Sequence, residues 1–474
     1  MTLLVRGITQ VTMRRLLAVS IGKLIIFLSR LLKRGGGSAC SGLVALIIDP
    51  NLIAGISRRL PGGAIVVTGT NGKTTTAKFL SEILERSNLR VITNRSGSNL
   101  ARGIAATLIE QSSIWGWPKG DIGLFEVDEA TMPEVVPAIN PTFVLVTNLF
   151  RDQLDRYGEL DKTAGTIAGS FKYLKEATVI LNADDPLVAS LAKDVSSNIK
   201  TVYFGLEDNE QFSSSGVSLE SSECVLCGHE LSYKKRYFAQ MGDYKCPHCN
   251  FLRPEPLYVA SETILQGITK STSSFSDKDN SIAISLNLAG IFNIYNALGA
   301  YSIAKALGIA DELIKQSLEM TTAAFGRMEK LQFKGRTACL LLTKNPVGLT
   351  QLIEILATDK EAKNFLFCLN DNLADGTDIS WIWDADIEAL DKDFKTIFCS
   401  GSRAYDMALR LKYAGLDVGK IEVIQEIVPA FEKAVEGLNE HETLYVLPTY
   451  TAMLEIRNYL TRAGIVAGFW EMKL

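Results

Sequence analysis

The stretch from Ala64 to Thr76 reads AIVVTGTNGKTTT, and it constrains the chain more than any other. A β-branched apolar run, Ala64–Thr68, breaks into a turn punctuated by Gly69 and Gly72, and Lys73-Thr74 leads into a segment predicted helical from Ala77 to Arg86. Strand, loop and helix in that order turn the N–H groups of Gly69, Thr70, Asn71 and Gly72 inward, where they and the helix N-terminus face an anion. Lys73 adds a mobile positive charge for β- and γ-phosphates, and Thr74, followed by Thr75, is placed to hold Mg²⁺. The first glycine of the general GxxxxGK[ST] pattern would fall at Val67, whereas here the loop glycine is Gly69. A nucleotide site is expected.

At 474 residues the chain is too long for one ordinary core, so two or three domains are expected. Its hydrophobic and charged fractions are those of a globular protein, and a net charge of −4 gives no electrostatic reason to expect nucleic acid. Four of the eight cysteines are paired as CxxC. Cys40, Cys339, Cys368 and Cys399 lie scattered, mostly in apolar runs, as buried free thiols do. That usage points to a reducing compartment, the cytoplasm. Residues 1–40 carry Arg14 and Arg15 before an apolar run that Lys23 interrupts and Arg30, Lys33 and Arg34 follow. The run is too charged and too short to span a bilayer, and no small-residue cleavage site follows it. An amphipathic basic helix is expected, either resting on an anionic membrane surface or packing on the next domain. Gly35-Gly36-Gly37-Ser38 then reads as a hinge.

From about Gly42 to Phe204 apolar strands alternate with helical segments. The strands are read at Ala64–Thr68, Arg90–Thr93, Ile122–Val127, Phe143–Thr147 and Thr178–Asn182, which implies an α/β fold with a mostly parallel, doubly wound sheet. Ligands bind at the carboxyl ends of such strands. Those ends carry Glu126-Val127-Asp128-Glu129, Asn148 with Arg151-Asp152, and Asn182-Ala183-Asp184-Asp185. Glu126 ends an apolar run and is placed to share a magnesium ion with Thr74, while Asp128 and Glu129 fit a helix-capping cluster.

Cys224-Val-Leu-Cys227 and Cys246-Pro-His-Cys249 are two knuckles that together complete a tetrahedral S₄ zinc site, closed and therefore structural. His229 and His248 lie beside a shell that four thiolates already fill. The ribbon, about residues 207–256, reads as an insert in the α/β domain, and Lys234-Lys235-Arg236-Tyr237-Phe238 as a solvated hairpin. Asn293 and Asn296, three apart at the start of an Ala- and Leu-rich helix, present amides suited to an adenine edge. Beyond Gly326-Arg327 a second, smaller α/β unit follows, with strands at Ala338–Thr343, Asn364–Leu369, Thr396–Cys399 and Thr443–Leu447. There Asp371 is the first acid after a strand and the best candidate for chemistry. Asp375-Gly376 reads as a turn, and Trp381 and Trp383 as packing anchors.

Thr68–Thr75, Glu126–Glu129, Asn148 with Asp152-Gln153-Leu154-Asp155, Asn182–Pro186, Gly290 with Asn293 and Asn296, and Gly326-Arg327 together resemble the Mur ligase superfamily, ATP-dependent ligases that form amides through an acyl phosphate. The zinc ribbon and the segment from Asn370-Asp371 to Trp383-Asp384 resemble its lipid II-amidating branch. The resemblance implies residues 41–325 as the central ATP-binding domain and 326–474 as the C-terminal domain. It implies Lys73 and the loop N–H groups on the phosphates, Thr74 and Glu126 on Mg²⁺, Asn293 and Asn296 at the adenine, and Arg327 near the nucleotide at the domain seam. The implied reaction converts the D-glutamate α-carboxylate of the lipid II stem peptide to D-isoglutamine, with ammonia from a separate class-I-like (GatD-like) glutaminase subunit. Asp371 would support that partner's Cys-His pair or steer ammonia, and a lipid-linked substrate implies work at the inner face of the membrane. Two departures stand out: Gln153 replaces the usual second-metal histidine, and Ile167-Ala168 stand where a carbamylated lysine is usual. The competing expectations are an amino-acid ligase of the folylpolyglutamate kind and a zinc-ribbon nucleotide-binding interaction module.

Overall fold

The computed structural model describes residues 2–31, 38–94, 98–151, 160–207, 223–322, 327–357, 363–390 and 394–466. The predicted hinge, apart from Ser38, and the Asp152–Asp155 motif lie outside them.

The first strand, β1 (Ala64–Thr68), is buried along its whole length. Alternation sorts its side chains: Ile65 and Val67 join a core with Phe79, Leu80 and Leu298, while Ala64 and Val66 join another with Ala105 and Val136 on the opposite face. The helices covering these faces include α1 (Thr2–Leu31), α2 (Ser38–Ile48), α3 (Leu52–Ser57), α4 (Lys73–Arg86) and α5 (Ala101–Glu110). Helix α4 starts at Lys73 rather than at Ala77, because Gly72 takes a left-handed conformation (φ +87°) and turns the chain directly into the helix.

The strands that follow are β2 (Val91–Thr93), β3 (Ile122–Glu126), β4 (Phe143–Val146), β5 (Thr178–Asn182), β6 (Lys200–Leu206), the hairpin β7 (Ser232–Phe238) and β8 (Met241–Lys245), β9 (Tyr258–Gln266), β10 (Lys270–Ser276) and β11 (Ser281–Leu286). Eight of them join β1 in one nine-stranded sheet in the order β11-β10-β9-β6-β5-β4-β1-β3-β2, with β7–β8 standing apart as a two-stranded ribbon. From β2 to β9 every pairing is parallel, but β9, β10 and β11 are antiparallel. The sheet is therefore mixed rather than simply doubly wound.

A second sheet contains β12 (Arg327–Phe333), β13 (Arg336–Leu341), β14 (Lys363–Cys368), β15 (Phe394–Ser400), β16 (Ile421–Val423) and β17 (Thr443–Pro448), ordered β12-β13-β17-β14-β15-β16. Only β12 runs antiparallel to its neighbour. Phe365 and Phe367 face one core and Leu366 and Cys368 the other. The parallel strands of both sheets end toward a common seam. There the Asn345 amide donates to Asn71 Oδ1 at 3.0 Å, Lys344 Nζ donates to the Thr70 carbonyl at 3.3 Å, and Arg151 pairs with Asp384 at 3.3 Å. Among the described residues no helix is long and apolar enough to cross a membrane.

The fully buried Asp184 and Asp185 fasten this arrangement. Asp185 caps the helix Pro186–Ser190 through Leu187 N–H and accepts Leu149 N–H at 2.8 Å, tying the end of β5 to that of β4. Asp184 accepts Arg253 Nε at 2.5 Å, Leu206 N–H at 2.7 Å and the Tyr295 hydroxyl at 2.6 Å. Burial pushes its carboxyl up, opposed by the Arg253 guanidinium. Asp184→Asn strands that guanidinium and is expected to cost about 3–5 kcal/mol. Adding Arg253→Met should recover part of the loss, as read by denaturant unfolding.

Candidate nucleotide site and its surroundings

The loop after β1 needs its two glycines for conformation and for space. Gly69 sits at φ +127° and Gly72 at φ +87°. A Cβ on Gly69 would come within 2.3 Å of the Thr147 hydroxyl, and one on Gly72 within 2.0 Å of Asn296 Oδ1. Thr70 does not point at the loop's open side. Its hydroxyl donates to the Phe150 carbonyl at 3.1 Å and accepts Phe150 N–H at 3.0 Å, locking the loop to the chain beyond β4. Asn71 N–H donates to Asn148 Oδ1 at 2.8 Å. Helix α4 begins without a side-chain cap, the arrangement that leaves first-turn N–H groups for an anion.

Lys73 folds back over the loop. Its Nζ donates to the Gly69 carbonyl and pairs with Glu129 Oε1 at 2.8 Å, both side chains being nearly buried. The expected cap cluster thus divides: Asp128 does cap the short turn Glu129–Thr131 through Ala130 N–H, whereas Glu129 is the counter-ion of the loop lysine. β3 lies beside β1 with Glu126 opposite Val67. This brings the buried Glu126 carboxylate to 2.9 Å from the Thr74 hydroxyl and 3.3 Å from the Asn99 amide. A carboxylate and a hydroxyl side by side at a phosphate loop form the hard-oxygen donor set that suits Mg²⁺.

The loop opens into a cleft between the two sheets. Asn71, Gly72, Thr75, Asn148, Asn293 and Asn296 line it from the first unit, and Lys344, Asn345, Gly348 and Gln351 from the second, with Phe150, Phe238, Phe292 and Leu288 as its apolar walls. Asn293 and Asn296 lie inside the helix Ile291–Ala306, one turn apart. Asn293 donates back to the Ala289 carbonyl at 2.7 Å, and Asn296 donates to Asn293 Oδ1 at 3.3 Å and buttresses Gly72. Arg327 opens β12, and its side chain lies outside the described residues. Ile167, at the offset where a carbamylated lysine is usual, is buried in the core.

The four cysteines converge. Cys224 Sγ lies 3.5 Å from Cys249 Sγ, Cys227 Sγ lies 3.5 Å from Cys246 Sγ, and all four sulfurs lie within 4.8 Å of one another. Tetrahedral zinc with sulfurs ~2.3 Å from the metal requires sulfurs ~3.8 Å apart, which the cluster fits. His229 and His248 stack outside it at 3.7 Å, both exposed. Sequence reasoning missed the far end of the hairpin. Only part of the run from Lys234 to Phe238 is solvated: Lys234 is exposed, but Tyr237 and Phe238 are buried because the tip plugs into the first unit. Tyr237 donates to the Leu206 carbonyl at 2.8 Å, Gln240 to the Leu149 carbonyl at 2.9 Å, and Phe238 packs on Phe150 and Tyr295 with ring centres 5.8 and 5.6 Å apart.

In the second unit Asp371 follows β14, on the same sheet edge as Asn345 and two strands away, roughly 10 Å along the edge. It accepts the Ser402 hydroxyl at 2.8 Å and Arg403 Nε at 2.7 Å, which hold its carboxyl below the usual carboxylate range. Asp375 proves more than a turn former: it is buried and accepts Thr451 N–H at 2.7 Å, capping the helix Tyr450–Arg462 from across the sheet edge. Trp381 is buried as expected, whereas Trp383 is half exposed against Tyr413 and Arg410. Of the scattered thiols Cys40 is exposed and the other three are buried.

Known proteins resemble this chain along nearly all of it. The profile of the Mur ligase middle domain matches residues 67–244, and that of the MurT ligase C-terminal domain matches residues 342–453. The chain is 36% identical over 441 residues, 93% of its length and 95% of the relative's, to the lipid II isoglutaminyl synthase (glutamine-hydrolyzing) subunit MurT of Streptococcus pneumoniae. In fold it matches a pseudomurein peptide ligase type C from Methanothermus fervidus with a TM-score of 0.64, at 21% identity over 85% of this chain and 79% of that one. It also matches the MurF ligase of Thermotoga maritima, solved in complex with ADP, with a TM-score of 0.61 at 13% identity over 87% and 83% of the two chains.

Proposed function

This chain belongs to the MurT family, and on that footing we propose that it is the amide-forming subunit of a lipid II isoglutaminyl synthase. Its fold is that of the Mur ligases, ATP-dependent enzymes that bind ATP and Mg²⁺. The observation that carries the reading is a phosphate loop facing, across one cleft, a C-terminal unit of MurT type.

In this reading residues 41–325 form the ATP-binding domain, with the zinc ribbon inserted at about 207–256, and residues 326–474 the C-terminal domain. The adenine lies near Asn293, Asn296 and the walls formed by Phe150 and Phe238. The N–H groups of Gly69 and Gly72 and the Lys73 side chain hold the phosphates, with Thr75 beside them and Arg327 at the seam. Thr70 and Asn71, whose N–H groups are taken by the Asn148 carbonyl and Oδ1 rather than turned to an anion, shape the loop. Thr74 and Glu126 would hold Mg²⁺, which supplies charge neutralisation on the triphosphate. A carboxylate oxygen of the stem-peptide D-glutamate bonds to the γ-phosphorus as the bond to ADP breaks. The ammonia lone pair then attacks the acyl carbon. The C–N bond forms, the C–O bond to phosphate breaks, and nitrogen loses a proton to leave the amide. Ammonia comes from a class-I-like, GatD-like glutaminase subunit, and Asp371 serves its delivery.

The test is turnover of lipid II with ATP and ammonium chloride, read by mass spectrometry. The expected product is lighter by the difference between hydroxyl and amine. No mass change, even with the glutaminase added, would return the amino-acid ligases to first place. Asp371→Asn should retain turnover with ammonium chloride yet lose at least roughly tenfold with glutamine and the partner. Its folded stability should fall by less than about 1 kcal/mol, because the Arg403 pair is half exposed. Equal losses with both nitrogen sources would place Asp371 in the synthetase chemistry instead.

A further inference from the structure

Helix α1 is apolar on two opposite sides. Between Met13 and Leu31 it buries Ala18, Val19 and Ile26 against the first unit, and Gly22 sits where a Cβ would come within 2.9 Å of Ile109 on α5. On the other side Met13, Leu17, Leu24, Phe27 and Leu31 stand exposed, spaced by threes, fours and sevens as one helical face requires. Phe27 is 62% and Leu31 67% exposed. On the adjoining α2, Leu43 and Ile47 are exposed one turn apart. Soluble surfaces scatter such residues singly, so a stripe of this length implies something that covers it.

Charge identifies the occupant. Residues 13–31, 38–60 and 101–119, which build this layer, contain eight lysines and arginines but only two acids, in a chain whose net charge is −4. Both acids are paired to arginines of α1: Asp49 to Arg15 at 3.3 Å, and Glu110 to Arg30. The layer is therefore strongly cationic around an apolar stripe. Beside it, the loop after α5 exposes Trp115 and Trp117. Arg59 holds that loop, donating to the carbonyls of Trp115 and Gly116 at 3.2 and 3.0 Å and stacking over Trp117 at 4.5 Å. Indoles exposed on a loop that Arg59 holds suit the boundary between headgroups and acyl chains.

We propose that this face lies on an anionic lipid bilayer, with the α1 stripe in the acyl boundary and the basic fringe on lipid phosphates. The contact is parallel to the surface and spans nothing. It does not depend on the amidation reading, because vesicles without lipid II suffice to test it.

Full-length protein is sedimented with vesicles of equal parts phosphatidylglycerol and phosphatidylcholine, and with vesicles of phosphatidylcholine alone. Binding is expected to the anionic vesicles, to weaken at high salt, and to fall at least roughly tenfold in Leu24→Asp/Phe27→Asp. Both side chains are exposed, so the variant should keep its melting temperature and its ATP hydrolysis. Wild-type protein left in the supernatant with anionic vesicles, or a variant that pellets equally well, overturns the proposal. A dimer in light scattering that the variant dissolves would assign the stripe to a second copy. Loss of glutaminase binding in the variant would assign it to that partner.

Discussion

Replacing Lys73 with methionine is expected to lower ATP turnover by roughly 10³-fold or more, and to lower the melting temperature as well. The second effect follows from Glu129. The Lys73–Glu129 pair at 2.8 Å is nearly dry, with the two side chains 11% and 7% exposed. Removing the lysine leaves a buried carboxylate without its counter-ion, at a cost of about 3–5 kcal/mol. Lys73→Met/Glu129→Gln should recover much of that stability, since a neutral amide is far cheaper to bury, yet recover none of the turnover. Steady-state ADP release and thermal unfolding, measured on the same samples, separate the two effects. Turnover kept within tenfold in Lys73→Met would remove the lysine from the phosphates. An unchanged melting temperature would mean that Glu129 does not depend on it.

The same pair shows where sequence stops being informative. β1, the glycine loop and α4 are legible because their signals are local: a β-branched run, two glycines at fixed offsets, then a helix former. The cysteine knuckles are legible for the same reason, the thiolate geometry being set within four residues. Glu129 is different. In sequence it is one acid of a capping cluster, and it becomes the partner of Lys73 only because β3 pairs beside β1. Asp184 likewise reads as a residue at a strand end, and its partners Arg253 and Tyr295 arrive from far along the chain. Asp375 beside Gly376 looks like a turn until Thr451 is brought to it by the strand order of the second sheet. The antiparallel extension β9–β11 escapes for a compositional reason, since the serine- and threonine-rich β10 gives a weak apolar alternation. Elements announce themselves through period and turn chemistry, whereas polar partnerships between elements depend on topology.

Removing metal from the four-cysteine cluster, by chelation or by Cys246→Ser, is expected to weaken ADP binding roughly tenfold and to lower the melting temperature. The two knuckles sit at the open end of the β7–β8 hairpin: Cys224 and Cys227 precede β7, and Cys246 and Cys249 follow β8. Zinc held by the four thiolates would clamp that end, and a two-stranded ribbon is only marginally stable without such help. The opposite end carries Phe238 to the wall of the nucleotide cleft and Gln240 to the Leu149 carbonyl, next to the chain that Thr70 locks. On the proposed reading the ribbon would brace the α/β domain beside the nucleotide cleft, and metal loss should reach the cleft through the hairpin. Phe238→Ala separates the two ends. It should reproduce the loss of ADP affinity while zinc content, measured by metal analysis, remains at that of the wild type. Retained affinity and an unchanged melting temperature after chelation would reduce the ribbon to a passenger. Full affinity in Phe238→Ala, with affinity lost on chelation, would mean that the coupling runs through the Asp184–Arg253 fastening rather than through the aromatic wall.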